Sequence, residues 1–220
     1  MELDAVGYVM GLAARRRELL DQVAASLKSP SFTKIVDLRD VEYAMSQLRS
    51  LIHDMDGVDL FVISSGVGFE NPALTWAPEE DTIAVNVMGF ASVANVAVEH
   101  LASRGHGHLV GISSIAAIRG HGDAPAYGAS KAFVSSYLQS LRHRFAKRKL
   151  PICVTEIQPG FVDTAMAKGE GLFWVATAQS AACDIMWAIR SRRSHAYVTA
   201  RWRLIAWFLR LVPDWVYSRI

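Results

Sequence analysis

Short apolar runs alternate with longer helix-like stretches along most of the 220-residue chain. The runs have strand length and few polar interruptions, which is typical of parallel strands buried on both faces. The alternation predicts one α/β domain, residues 1–220, with helices on both faces of a mostly parallel sheet. We predict strands at 8–14, 32–37, 58–64, 109–113, 151–158 and 196–199, and helices at 17–27, 41–53, 79–104, 126–149 and 179–192.

Side chains suited to binding or chemistry recur where the predicted strands end. In open parallel sheets the ligand lies beyond the carboxyl ends of the strands, so such residues meet at one edge. The sequence therefore predicts a single site at that edge, built around Arg15, Asp37, Ser64, Ser114 and Pro159.

A tyrosine and a lysine, Tyr127 and Lys131, stand four positions apart in the predicted helix 126–149. That spacing puts them on one helix face, and a nearby ammonium favours the phenolate, so we expect a lowered Tyr127 pKa. Such a phenol can exchange a proton with a carbonyl or alcohol oxygen. Ser114, thirteen positions earlier (127 − 114), could hydrogen-bond the same oxygen. The bare Tyr-x-x-x-Lys pattern also occurs by chance in helices with a solvated lysine.

Five stretches of the sequence, in order and at family-like spacing, resemble the short-chain dehydrogenases/reductases. They are IVDLRD, VNVMG, VGISSIAA, YGASKAF and IQPGFVDT. The resemblance covers nearly the whole chain. It implies a Rossmann-like three-layer sandwich that moves a hydride between a nicotinamide cofactor and a carbonyl or alcohol.

The resemblance also implies roles for the catalytic side chains. Tyr127 is the acid/base, Lys131 lowers its pKa, and Ser114 holds the substrate oxygen. Asn86 is expected to hold a water that connects the lysine to solvent, or else to bond a local backbone carbonyl. Ser113 competes with Ser114 for the catalytic position, and the thirteen-residue spacing favours Ser114.

Cofactor residues are expected along the same edge. Arg15 and Arg16 follow the first predicted strand, where an acid would accept from a ribose 2′-hydroxyl and arginine suits a 2′-phosphate. We therefore predict NADP over NAD, the alternative being a solvated basic turn. Asp37 resembles the family's adenine-contacting acid, or caps the next turn. The resemblance adds Ser64, Ser65 and Gly66 in place of the family's Asn-Ala-Gly, Tyr127, Lys131 at the nicotinamide ribose, and Pro159, Gly160 and Thr164 beside the nicotinamide.

The family's first strand, glycine-rich turn and first helix have no counterpart in the sequence. Residues 1–7 lead directly into what resembles the family's second strand, and no other glycine pair opens a predicted helix. The missing strand would lie between the second and the fourth, which leaves a slot with unpaired edges. The sheet could close across the slot, another chain could cover its edges, or the 220 residues could be a fragment; we favour the fragment.

Composition narrows the partners. A net charge of +2, from 23 basic and 21 acidic residues, gives no strong field for nucleic acid. Cys153 and Cys183 show no metal or disulfide spacing, which favours a cytoplasmic location and no metal. We see no signal peptide, and no run reaches the ~18 apolar residues of a spanning helix.

Two late segments are apolar. A substrate loop at about 165–176, with Met166, Leu172, Phe173 and Trp174, fits a hydrophobic carbonyl or alcohol, or a partner chain. The tail 201–220 mixes three tryptophans with four arginines, so it could lie on anionic lipid or pack on the body or another subunit.

We expect a homodimer or homotetramer. The alternative to an enzyme is a non-catalytic protein of this fold, free of cofactor, that self-associates through helices 79–104 and 126–149.

Overall fold

The computed structural model describes residues 2–164, 173–217 and 219. Strands and helices alternate in these ranges, and every strand pair is parallel. The strands are β1 (Met10–Ala14), β2 (Ser31–Ile35), β3 (Leu60–Ile63), β4 (Gly107–Ile112), β5 (Ile152–Pro159) and β6 (His195–Val198). The helices are α1 (Arg17–Ala25), α2 (Val41–Asp54), α3 (Trp76–Ile83), α4 (Phe90–Arg104), α5 (Pro125–Lys147), α6 (Ala178–Arg190), α7 (Trp202–Leu211) and α8 (Asp214–Tyr217). Each predicted element is present, with ends shifted by a few residues.

The strands form two sheets. β1 pairs only with β2, and the second sheet has the order β3-β4-β5-β6. In the described chain β1 and β3 are not hydrogen-bonded to each other, so the sheet does not close across the expected slot. Partner cover and a fragment stay as predictions.

Contacts outside the strands join the two sheets. On one face α2 packs against α4, where Arg49 Nη2 donates to Glu99 Oε2 at 3.0 Å. On the other face Leu3 packs with the cluster that includes Leu60. The neighbouring Asp4 carboxylate accepts the backbone N–H of Ser29 at 2.8 Å, which ties the same segment to the start of β2.

The core consists of two apolar layers. The larger cluster lies between the second sheet and helices α4 and α5, and it includes Phe90, Leu101, Leu138 and Phe145. The smaller one lies under α6 and includes Ile157 and Val198. Helices on both faces of parallel strands are the arrangement that the alternation predicts.

A long helix, Trp76–Arg104, corrects one expectation. It consists of α3, a π-helical segment (Ala84–Gly89) and α4 in direct succession. By length and composition it is apolar enough to cross a membrane, although we expected no such run. Half of its apolar window is buried, and it packs on β3, β4 and α5, so the same composition serves a core helix.

Replacing Leu138 in the larger cluster should destabilise the fold. Leu138→Ala removes a side chain with 0% exposure and leaves a cavity, so the free energy of unfolding should fall by about 2–5 kcal/mol in urea denaturation. Leu204→Ala, at a position that is 68% exposed, is the matched control and should change it by less than about 0.5 kcal/mol. Equal losses would contradict the assignment of the core.

Candidate active site

Three sequence-predicted catalytic side chains lie together where β4 ends and α5 begins. Ser114 follows β4 and caps a 3-10 turn (Ile115–Ala117), with its Oγ accepting from the Ala116 N–H at 3.2 Å. The Ser114 side chain also hydrogen-bonds Tyr127, which is half-buried in the first turn of α5. One turn later, Lys131 Nζ lies 5.8 Å from the centroid of the Tyr127 ring.

The Lys131 ammonium is buried, with 6% exposure, and donates to the Ile112 carbonyl at 3.2 Å. Ile112 is the last residue of β4, so this bond fixes the lysine to the end of the strand. Lys131 therefore lies below the phenol, between helix and sheet, instead of extending into solvent.

Asn86 connects a third element to this pair. It lies in the π-helical segment and is 1% exposed. Its Oδ1 accepts the Val67 N–H at 2.8 Å, and its Nδ2 donates to the Val67 carbonyl at 2.7 Å and to Ser130 Oγ at 3.0 Å. The side chain therefore clamps the loop after β3 onto α5, one residue before Lys131.

The pKa values of the two central groups move in opposite directions. Burial lowers the pKa of Lys131 to about 8. Burial raises the pKa of Tyr127, and the Ser114 hydrogen bond lowers it by less. Our expectation that Lys131 lowers the phenol's pKa is therefore wrong for this structure. The physical reason is that desolvation penalises the phenolate more than the neighbouring groups stabilise it.

The loop after β3 brings Gly66 against the lysine. A Cβ on Gly66 would lie 3.1 Å from Lys131 Nζ and 3.3 Å from Asn86 Oδ1, so a side chain would press on both groups. Ser64 and Ser65 precede it directly after β3 and are exposed.

The predicted adenosine-side residues lie on the two-stranded sheet. Arg15 and Arg16 follow β1, are exposed, and lead into the first turn of α1. Asp37, after β2, accepts from Arg39 Nε at 3.0 Å and from the Arg39 backbone N–H at 3.1 Å. These bonds lower the Asp37 pKa, and the Arg15 charge adds to the effect. Asp37 thus stabilises its own turn, as one of the two predicted interpretations has it.

The predicted nicotinamide-side residues follow β5. Pro159 ends the strand, and the Gly160 N–H donates to the Val198 carbonyl at 2.8 Å. A Cβ on Gly160 would overlap the Trp202 indole, so helix α7 packs directly on this loop. Thr164 is exposed, and Met166 and Leu172 lie outside the described residues.

Sequence reasoning missed several side chains that shape the site. Ser130 bonds Asn86 and accompanies the Tyr-x-x-x-Lys spacing, so its position was a usable signal. Trp202 and Arg119 act through contacts with no local signature. Arg119, in the loop between Ser114 and Tyr127, donates from Nε to the Leu209 carbonyl at 2.8 Å.

Comparison with known proteins identifies the family. Residues 1–172 match the sequence pattern described as short chain dehydrogenase. The chain belongs to the short-chain dehydrogenase family. A relative from Myxococcus xanthus is 36% identical over 133 residues, covering 60% of this chain and 52% of the relative. One from Mycobacterium tuberculosis is 33% identical over 171 residues, covering 74% of this chain and 66% of the relative. Both are named uncharacterized oxidoreductases, and this chain spans between about half and two thirds of their length.

Solved structures of short-chain dehydrogenases confirm the predicted Rossmann-like fold. One from Burkholderia phymatum, in complex with NAD, superposes with a TM-score of 0.82 at 17% identity, over 93% of this chain and 85% of that one. One from Sphingobium yanoikuyae, in complex with NADPH, gives 0.80 at 18% identity, over 93% and 84%. Structural neighbours in this family thus bind either nicotinamide cofactor.

The buried lysine should leave a signature in the pH dependence of stability. Because the Lys131 pKa falls from 10.5 when unfolded to about 8 when folded, the unfolded state binds more protons between those values. Stability from this group therefore rises with pH across that window and is lowest below about pH 8. Lys131→Met removes the rise. Relative to wild type, the variant should be about 2 kcal/mol more favoured at pH 7 than at pH 10, measured by urea denaturation. Parallel pH curves would contradict the burial of the ammonium.

Proposed function

We propose that this chain forms the active site of an NADP(H)-dependent reductase that acts on a hydrophobic carbonyl or alcohol. The observation that carries the proposal is the arrangement of Ser114, Tyr127 and Lys131, with Asn86 holding the adjoining loop. Two polar hydrogen-bonding groups meet at one point beside a buried cation, which is the geometry needed to transfer a proton to an oxygen. The family assignment supports a nicotinamide-dependent oxidoreductase in general terms.

In the proposed reaction Tyr127 donates its phenolic proton to the carbonyl oxygen, and Ser114 orients that oxygen by a hydrogen bond. The cofactor, when bound, supplies the hydride that reduces the carbonyl carbon to the alcohol. A raised pKa keeps the phenol protonated at neutral pH, so it favours the donor role and hence reduction. Lys131, mostly charged below about pH 8, stabilises the phenolate left behind. Asn86 keeps the loop at Gly66 against the lysine.

The residues present fit the two ends of a dinucleotide. Arg15 and Arg16, exposed at the first turn of α1, would hold a 2′-phosphate, because guanidinium and a helix N-terminus both favour phosphate. At the other end, Lys131, Pro159 and Gly160 adjoin the place for the nicotinamide. No described turn combines a glycine pair with the start of a helix, so the pyrophosphate between them has no such cradle among residues 2–164, 173–217 and 219.

An aromatic cluster supports a hydrophobic substrate. Phe161, Phe173, Trp174 and Trp202 lie beside Gly160 with ring centroids between 5.2 and 6.2 Å apart. Such a wall offers apolar contact to a substrate beside the nicotinamide.

Cytoplasmic location and self-association are further parts of the proposal. Cys153 and Cys183 are both free thiols, which supports a reducing compartment. The unpaired edges of β1 and β3 are surfaces that a second copy could cover, which supports a homodimer or homotetramer.

Tyr127→Phe should remove turnover while leaving the fold and cofactor binding intact. Without the phenolic proton, NADPH oxidation at 340 nm with a panel of aryl and long-chain aliphatic ketones should fall by about 10²–10⁴-fold. Tyr137→Phe, in the same helix and packed on Phe90, is the matched control and should retain activity. Turnover that survives the change at Tyr127 would mean that the proton comes from another group.

The NADP preference is testable at Arg15 and Arg16. The double variant Arg15→Ala/Arg16→Ala should raise the Kd for NADPH by about 10–100-fold, since a hydrogen bond to a charged group contributes about 1.5–3 kcal/mol, and should leave the Kd for NADH within about threefold. Arg17→Ala, one position on, is the control. Tryptophan fluorescence titration measures both constants. Equal losses for the two cofactors would contradict the preference, and no NADPH binding by wild type would favour the non-catalytic, self-associating alternative.

A further inference from the structure

Helices α7 and α8 expose an apolar face to solvent. Within α7 its members are spaced three, one and three positions apart, so they form one stripe along the helix. The two tryptophans are 66% and 65% exposed, which is unusual for side chains of that size. We call this surface the tail face; its members are Leu204, Trp207, Phe208, Leu211 and Trp215.

The opposite side of α7 is held against the body. Trp202 and Ala206 are buried, with 2% and 1% exposure. Arg119 donates from Nε to the Leu209 carbonyl at 2.8 Å and pairs with Asp214. The orientation of the tail is therefore set from its buried side, and the tail face points away from the rest of the chain.

Positive charge borders the tail face. Arg203 and Arg210, seven positions apart, line one flank of the stripe, and the Arg219 guanidinium lies 5.8 Å from the centroid of the Trp215 ring. The one acid in residues 201–220 is already paired, as described above. An apolar stripe with a cationic border has the chemistry of a helix that lies in a membrane interface.

We propose that the tail face binds the surface of an anionic lipid bilayer. Tryptophan, phenylalanine and leucine would enter the headgroup region, where aromatic side chains are favoured, while the arginines contact lipid phosphates. A second copy of this chain fits less well, because two-fold pairing of the tail face would bring the same arginines of both copies together without acids to balance them.

The tail face lies beside the candidate site. Trp202, on the buried side of α7, packs on Gly160, and Arg119 belongs to the loop that connects Ser114 to Tyr127. If the proposed function holds, a hydrophobic substrate dissolved in the bilayer would reach the site from the side on which this chain meets the membrane. Membrane binding itself does not depend on that function.

The test is co-sedimentation of the full chain with vesicles of phosphatidylcholine alone or with a quarter phosphatidylglycerol. Wild type should bind the anionic vesicles, bind neutral ones weakly, and lose affinity in high salt. Trp207→Ser/Phe208→Ser should reduce the partition coefficient by at least about tenfold. Arg203→Ala and Arg219→Ala should each reduce it by about fivefold; Arg210 is avoided because it also contacts Tyr197.

Matched controls lie elsewhere on the surface. Trp76→Ser removes a tryptophan that is also 66% exposed, and Arg148→Ala removes an exposed arginine of α5's end; both should bind vesicles like wild type. Unchanged melting temperatures establish that the tail variants fold. Equal loss in the controls, or no binding of wild type to anionic vesicles, would overturn the proposal. So would light scattering that shows Trp207→Ser/Phe208→Ser converting an oligomer into a monomer, because a second copy would then cover the tail face.

Discussion

The buried amide of Asn86 is the interaction on which the candidate site depends. Leaving a buried amide without partners costs about 1–3 kcal/mol, so its bonds to both backbone groups of Val67 are strongly favoured over a free loop. The third bond, to Ser130, attaches the same side chain to α5. One side chain thereby sets the distance between the loop at Gly66 and the helix that carries the tyrosine and lysine. The π-helical turn around Asn86 lets it face inward without ending the helix.

The same helix also connects the site to the two-stranded sheet. Three residues after Asn86, a Cβ on Gly89 would lie 2.6 Å from the Leu38 Cβ and 3.2 Å from the Leu38 carbonyl, so only glycine permits this approach. Leu38 follows β2, next to Asp37. The adenosine-side and nicotinamide-side residues lie on separate sheets with no hydrogen bond between β1 and β3. Their relative position therefore depends on packing at Gly89 and between α2 and α4, and not on a continuous ladder.

The sequence predicted the elements well because strand and helix periodicity are local properties. It also predicted which side chains would gather near Tyr127, because the ends of parallel strands share an edge. It failed where the outcome depends on burial or on distant contacts. The direction of the Tyr127 pKa required knowing how much solvent is excluded, and spacing carries no such information. The contact of Trp202 with Gly160 and the hold of Arg119 on Leu209 join residues 42 and 90 positions apart, beyond any local pattern.

Burial also changes which group controls the proton chemistry. In water a phenol and a lysine lose their protons at similar pH, near 10.0 and 10.5. Here the phenol holds its proton more strongly, whereas the lysine releases it at about pH 8. On raising the pH, the first proton lost is therefore the lysine's, and the phenol that remains faces a neutral amine. Without the ammonium, the phenolate left by proton donation has no nearby charge to stabilise it. The ionisation of Lys131, and not that of Tyr127, thus sets the alkaline limit of any proton transfer at this site.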